Sequence, residues 1–339
     1  MKICVVGAGA IGGFLAVKLA ASGHEVSVVI RGANLVAVRA SGMKLVAEDG
    51  AEIVAKVFAS DKIADIAAHG GPQDVVILGM KAHQVASVAP ELPALFGPET
   101  IVVSMQNGIP WWYFQKHGGP HDGKRVEAVD PGGVISANID AARIIGSLAY
   151  PACELIAPGV IKQVEGNRFP LGEIDNSDTP RIRLLADAFR AAGFKTPVSS
   201  DIRSEIWLKL WGNVSFNPIS ALTHATLQDI CEYGATRDLA RTMMQEAQAV
   251  GTALGVNFKV DIEKRIAGAQ AVGQHKTSML QDVEAGRQLE LDALVKSVIE
   301  LGEITQVPTP TIKHVYALAS LLAKTLAAHK GHLRMTSSA

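Results

Sequence analysis

The stretch Met1-Lys2-Ile3-Cys4-Val5-Val6-Gly7-Ala8-Gly9-Ala10-Ile11-Gly12-Gly13 decides the fold. Ile3 to Val6 is a short, apolar, β-branched-rich run and reads as a buried parallel strand. Gly7, Gly9 and Gly12 then fit G-x-G-x-x-G, and each has a steric task. Gly7 allows the tight turn out of the strand, Gly9 lets a pyrophosphate approach the backbone, and Gly12 lets the next helix pack closely on the sheet. That helix carries Ile11, Phe14, Leu15 and Leu19 as an apolar stripe, reaches Ala20 or Ala21, and ends at Gly23. Its first amides and positive dipole end favour phosphate, so Gly7, Ala8, Gly9, Ala10, Ile11 and Gly12 are the expected cofactor loop. A strand-turn-helix without ligand is the competing reading. The second strand that follows, Glu25 to Ile30, favours the dinucleotide.

Arg31 names the dinucleotide. An NAD site usually has Asp or Glu at the end of the second strand, about 20 residues on, to bind the ribose 2′-hydroxyl. Here Arg31 and Gly32 occupy that place. A guanidinium can clamp a 2′-phosphate and no carboxylate repels it, so NADP(H) is expected over NAD. The alternative is an exposed surface arginine.

The 339 residues exceed one compact core and are enough for two domains. Hydrophobic residues make up 48% and charged residues 19%, with a net charge of -1, which excludes the basic excess of a nucleic-acid binder. No apolar run is long enough to span a bilayer, and glycines interrupt the first apolar stretch too early for a signal peptide. Cys4, Cys153 and Cys231 are widely spaced and form no C-x-x-C, as in a reduced cytoplasmic protein; no metal site is expected.

Strands and helices alternate onward. Strands are expected at Met43 to Val46, Ile53 to Phe58, Asp74 to Gly79 and Thr100 to Ser104, with helices after Asp61 and after Ala82. The alternation argues for a mostly parallel, doubly wound sheet. Lys81 and Asn107 follow strand ends, where such sheets collect ligands. Taken alone, Lys81 is equally a solvated helix-start lysine and Asn107 an Asn-Gly turn. The segment 110–133 is an insertion with an aromatic run, Trp111-Trp112-Tyr113-Phe114. It reads either as a lid or substrate wall, or as a cover over an apolar patch or subunit contact. A short strand is expected at Arg125 to Val129. Further strands at Ile144 to Ile156, Val160 to Glu165 and Arg168 to Leu171 look like antiparallel additions, and Phe194 to Val198 like a last strand. The fold class is α/β, with a Rossmann-type domain over 1–199 and an all-α domain over 200–339, hinged near Ser199-Ser200.

The helical domain opens with Glu205-Ile206-Trp207-Leu208-Lys209-Leu210-Trp211-Gly212-Asn213-Val214-Ser215-Phe216-Asn217-Pro218. Lys209, Asn213 and Asn217 recur every four residues, within a stripe of ~80° on a mostly apolar helix. Such groups need partners, which a ligand or a buried polar network would supply. Pro218 disfavours helical geometry at Asn217.

These blocks make the chain resemble the ketopantoate reductases (2-dehydropantoate 2-reductases) over nearly its whole length. The match includes Gly7 to Gly12, Arg31, Met80-Lys81-Ala82, Gln106-Asn107-Gly108, Glu205 to Leu210 with Asn213 and Asn217-Pro218, Ser278-Met279-Leu280-Gln281-Asp282 and Glu290-Leu291-Asp292. The resemblance implies NADPH-dependent reduction of 2-dehydropantoate to (R)-pantoate, toward pantothenate and coenzyme A. It implies Lys209 as general acid, Glu290 as a catalytic partner that helps hold substrate, and Asn107, Asn213, Asn217 and Ser278 at the substrate. It assigns Arg31 and Lys81 to the cofactor, with Asn107 also near the nicotinamide. His275 stands where the family often has Asn, and the 110–133 insertion is long, so a related branched 2-keto acid is an alternative substrate. An opine-type or different 2-oxo-acid dehydrogenase competes with this reading on the same two-domain plan, and a non-catalytic NADP(H)-sensing protein competes with it from a different class. A small-molecule 2-keto acid is the expected partner, without nucleic acid or membrane; a homodimer is left open.

Overall fold

The computed structural model describes residues 1–335. The chain forms two compact units, Met1–Arg125 with Asp130–Ile202, and Val126–Val129 with Arg203 onward.

The first unit begins β1 (Lys2–Val6), α1 (Ala10–Ala21), β2 (Glu25–Val29), α2 (Gly32–Ser41), β3 (Met43–Val46), β4 (Glu52–Ala55) and β5 (Phe58–Ser60). It continues with α3 (Ile63–Gly70), β6 (Gln73–Leu78), α4 (Ala82–Val88), β7 (Phe96–Ser104), α5 (Val134–Asn138) and β8 (Ile144–Ser147). β9 (Ala152–Ala157), β10 (Val160–Glu165), β11 (Leu171–Glu173) and α6 (Pro180–Ala191) complete it. Seven strands form one sheet in the order β11-β8-β7-β6-β1-β2-β5, and all but β11 run parallel. β1 lies between β2 and β6, with Val5 opposite Val28 on one side and Ile77 on the other. Buried on both faces, these strands read as continuous apolar runs. The winding direction reverses between β1 and β6, and ligands of such sheets bind beyond the strand ends at that point.

Of the expected antiparallel additions, β11 pairs with β8, while β9 and β10 join β3 and β4 in a second sheet, β4-β3-β10-β9. Val160 pairs with Lys44 and Ile161 with Leu45, partners far apart in the chain that no local pattern announces. This sheet presses on α1, because a Cβ on Gly13 would lie 2.7 Å from Ile161 Cδ1. Covered on two sides, α1 buries Gly12, Gly13, Phe14, Leu15, Ala16, Val17 and Leu19 rather than one stripe. Phe14, Phe169, Phe189 and Phe194 form its aromatic floor, with ring centroids 5.1–6.4 Å apart. Phe194 to Val198 is no strand; Lys195 and Val198 make isolated bridges to Arg168 and Leu171.

The second unit holds α7 (Ile202–Thr223), α8 (Leu227–Glu232), α9 (Gly234–Ala253), α10 (Ile262–Ala271) and α11 (Ser278–Glu284). A π-helical turn at Asp292–Lys296, α12 (Ser297–Thr305) and α13 (Pro310–His329) follow. α7 runs unbroken through Pro218. Its core face carries Trp207 and Trp211 against Phe258, and Trp211 Nε1 donates to the Met244 carbonyl at 2.7 Å. The Glu246 carboxylate accepts from Thr311 N and Ile312 N at 2.9 and 3.0 Å, capping α13. Leu333 N bonds back to the Val283 carbonyl; residues 336–339 lie outside the described part. Among the described residues, no helix is long and apolar enough to cross a membrane.

The expected strand at Arg125 to Val129 is absent. Val126–Val129 instead groups with the helical unit, where Glu127 N and Ala128 N donate to the Glu300 carboxylate at 2.6 and 2.8 Å. The chain then returns at the buried Asp130, whose carboxylate accepts from Ile135 N at 2.7 Å and Ser136 N at 3.2 Å.

Candidate functional site

In the first unit the predicted cofactor residues lie at the carboxyl ends of β1, β2, β6 and β7. Gly7 has φ +90, and a Cβ there would lie 2.8 Å from Met80 Cβ, so both dihedral and space require glycine. A Cβ on Gly12 would lie 2.3 Å from the Gly7 carbonyl oxygen, which is the close helix–loop packing expected of it. Gly9 differs, for beyond its own residue and its immediate chain neighbours no described atom lies within 4 Å of its Cβ position. It is also the N-cap of α1 and supplies no side-chain cap. Free space over uncapped first-turn amides, including those of Ala10 and Ile11, fits a phosphate-bearing cofactor. Arg31 is the exposed N-cap of α2, directly past β2.

Lys81 starts α4, three residues after β6, and its N–H donates to Gln84 Oε1 at 3.2 Å. Asn107 follows β7 and precedes Gly108, whose φ is +90. Gln106 links the two strand ends. Its Nε2 donates to the Leu78 carbonyl at 2.7 Å and the Met80 carbonyl at 3.2 Å. Ser104 Oγ donates to Gln106 Oε1 at 3.1 Å. Gln106 therefore positions both Lys81 and Asn107, a role unassigned from sequence although the residue sits within the Gln106-Asn107-Gly108 match. Trp111, Trp112, Tyr113 and Phe114 are all buried. A Cβ on Gly146 would meet Trp112 Cζ2 at 2.8 Å. The aromatic run is thus core packing under β8, not a mobile lid.

In the second unit α7 carries Lys209 and Asn213, both half-buried, and Asn217, which is buried. Burial pushes the Lys209 ammonium down from 10.5 to about 8, and the nearby Glu290 carboxylate pulls it back up. The structure therefore brings Lys209 and Glu290 into electrostatic contact across the fold of this unit. Glu290 precedes the π turn, and its carbonyl accepts from Leu294 N at 3.1 Å. π turns often occur at functional sites, and nothing in the local sequence marks this one. Ser278 is the exposed first residue of α11, after the N-cap Thr277, and His275 is exposed just before it. A lysine ammonium with a lowered pKa beside a carboxylate can donate a proton near neutral pH and stabilise a developing oxyanion.

Comparisons with known proteins cover both units. The family model described as ketopantoate reductase PanE/ApbA matches residues 3–113, and its C-terminal counterpart matches residues 201–323. A 2-dehydropantoate 2-reductase of Mesorhizobium japonicum is 54% identical over 324 residues, covering 95% of this chain and 98% of the relative. The crystal structure of a putative ketopantoate reductase from Ralstonia solanacearum is 40% identical with a TM-score of 0.90, covering 96% and 98%. That of a 2-dehydropantoate 2-reductase from Methylococcus capsulatus is 29% identical with a TM-score of 0.81, covering 96% and 98%.

Proposed function

We propose a mechanism for a chain that belongs to the ketopantoate reductase family: it reduces 2-dehydropantoate to (R)-pantoate with NADPH, and Lys209 is the general acid. The observation that carries the role of Lys209 is its ammonium, lowered to about 8 by burial and opposed by Glu290. When bound, NADPH supplies the hydride. Charge then grows on the ketone oxygen, and Lys209 Nζ stabilises it and delivers a proton there. Glu290 keeps Lys209 protonated at neutral pH and helps hold the substrate. Asn213 and Asn217, one and two turns further along α7, offer amides to the substrate's hydroxyl and carboxylate oxygens, and Ser278 adds a hydroxyl. Asn107 orients substrate beside the nicotinamide. The loop Gly7 to Gly12 holds the pyrophosphate through backbone amides, and Arg31 and Lys81 hold the remaining phosphate charge.

Two further readings concern the setting. A cytoplasmic setting is the reading that suits three free cysteines and a biosynthetic reaction. A homodimer is supported by the apolar face of α13, where Leu318 and Leu321 are 60% and 63% exposed; light scattering in solution tests it.

The test of function is NADPH oxidation with 2-dehydropantoate against simpler 2-keto acids. The expected result is a clear kcat/KM preference for 2-dehydropantoate. Equal or better turnover of an unbranched 2-keto acid would reassign the substrate, and NADPH binding without turnover of any keto acid would return the chain to a sensor.

A further inference from the structure

Gly79 directly follows β6, and its backbone gives no reason for glycine. Its φ lies outside the left-handed region, and its N–H donates to the Val6 carbonyl at 2.9 Å. The reason is therefore spatial. A Cβ on Gly79 would lie 2.7 Å from the Gly7 carbonyl oxygen and 3.0 Å from Gly12 Cα. Both are backbone atoms, which cannot swing aside as the tip of a long side chain can. Gly12 confines the same oxygen, since its own Cβ position lies 2.3 Å from it. The Gly7 carbonyl is held between two bare backbones, one from α1 and one from the end of β6.

That oxygen fixes a peptide plane. The Gly7–Ala8 peptide is trans, so its C=O and N–H point in opposite directions. With the Gly7 oxygen packed against Gly12 and Gly79, the Ala8 N–H faces away from both. Ala8 is only 3% exposed, and its N–H has no hydrogen-bond partner among the described residues. An amide of a buried residue left without a partner is costly and calls for an acceptor.

Gly79 is itself clamped. Gln106 Nε2 donates to the carbonyls on either side of it, Leu78 at 2.7 Å and Met80 at 3.2 Å, and Ser104 Oγ donates to Gln106 Oε1 at 3.1 Å. The serine sets which end of the amide faces the two carbonyls. Met80 in turn packs on Gly7, whose Cβ position lies 2.8 Å from Met80 Cβ. These contacts run in one series, from the end of β7 through the end of β6 to the glycine loop.

We propose that Gly79, clamped by Gln106, is a fourth glycine of the cofactor loop, a positioning residue that aims the Ala8 N–H at the pyrophosphate of the dinucleotide. This rests on the reading of Gly7 to Gly12 as that loop. Phosphate oxygens suit an unpaired amide at the head of α1, where the helix dipole also favours negative charge. The pyrophosphate is common to NADPH and NADH. The brace therefore sets affinity for both and leaves the choice between them to Arg31.

The test reads binding, by titrating the full-length protein with NADPH and NADH and following nucleotide fluorescence well below Tm. Gly79→Ala should weaken both cofactors ~10–100-fold, the scale of a lost hydrogen bond to a charged group, with the ratio of the two Kd values held within about threefold. In turnover the loss should fall on KM for NADPH far more than on kcat. Gln106→Met keeps the length of the side chain without its donors, and should weaken both cofactors together by ~3–10-fold. Unchanged Kd values in either variant would overturn the proposal. So would a lowered Tm with intact affinity, which makes Gly79 a packing residue only, or a weakening confined to NADPH, which moves the effect to the 2′-phosphate. A wild-type protein that binds neither cofactor would sink the reading of the glycine loop and this inference with it.

Discussion

The alkaline limb of the kcat profile tests Lys209 most directly. With its pKa at about 8, about nine in ten Lys209 side chains carry the proton at pH 7 and about one in ten at pH 9. Turnover that needs this proton is flat below pH 7 and falls about tenfold per pH unit above 8. Burial sets the position of that limb, and Glu290 opposes it. Replacing Glu290 with glutamine removes the negative charge at nearly constant shape. In Glu290→Gln the limb therefore moves to lower pH, with kcat reduced at pH 8 and least affected at pH 6. Lys209→Met removes the donor, cutting kcat by ~10²–10⁴-fold and flattening the limb. The assay is the initial rate of NADPH oxidation at saturating 2-dehydropantoate, from pH 6 to 10 at fixed ionic strength. A limb in Glu290→Gln at unchanged or higher pH would refute the electrostatic pairing. A limb that persists in Lys209→Met would remove Lys209 from proton donation.

The same lysine makes a stability prediction. Its folded pKa lies below its unfolded value, so between about pH 8 and 10.5 the unfolded chain binds more protons and stability rises with pH. The gain is at most about 3 kcal/mol, less because the side chain is only half-buried, and denaturant melts of wild type and Lys209→Met across that window should show the difference narrowing. Arg31→Ala should lower the ratio of kcat/KM for NADPH over NADH by ~10–100-fold; an unchanged ratio would make Arg31 a surface residue. Glu300→Ala removes the acceptor of Glu127 N and Ala128 N and should destabilise the protein by about 1–3 kcal/mol, with faster proteolysis around residues 124–129. Unchanged cleavage there would show that the two bonds hold nothing in place.

The glycine turn was legible because each glycine answers to a local constraint. Gly7 is needed for its φ and Gly12 for its contact, and both leave a mark at the position itself. The second sheet left no such mark, since β3 and β10 are ordinary short strands whose partnership depends on distant register. For the same reason α1 looked amphipathic, when its outer side is covered by Ile161. The aromatic run 111–114 was ambiguous because buried and lid-forming rings have the same composition. Only Gly146, which makes room for Trp112, distinguishes them. In the candidate site the spacing of Lys209, Asn213 and Asn217 was visible on one helix. The charge of Glu290 beside Lys209 was expected from resemblance, since no periodicity relates the two. Gln106 acts through the backbone carbonyls of Leu78 and Met80, a link that no motif announces.

The path of the chain through Val126–Val129 has a consequence for dissecting the enzyme. A gene cut once, after Ile202, yields neither unit whole. The first fragment keeps Val126 and Val129, apolar residues buried in the intact protein, without the helices they belong to. The second keeps Glu300 but loses the two amides that it binds. Recombination with a related reductase meets the same obstacle, because swapping the helical half alone would pair one parent's four-residue segment with the other parent's docking surface. The heritable module is therefore discontinuous, and functional chimeras must carry residues 126–129 together with the C-terminal half.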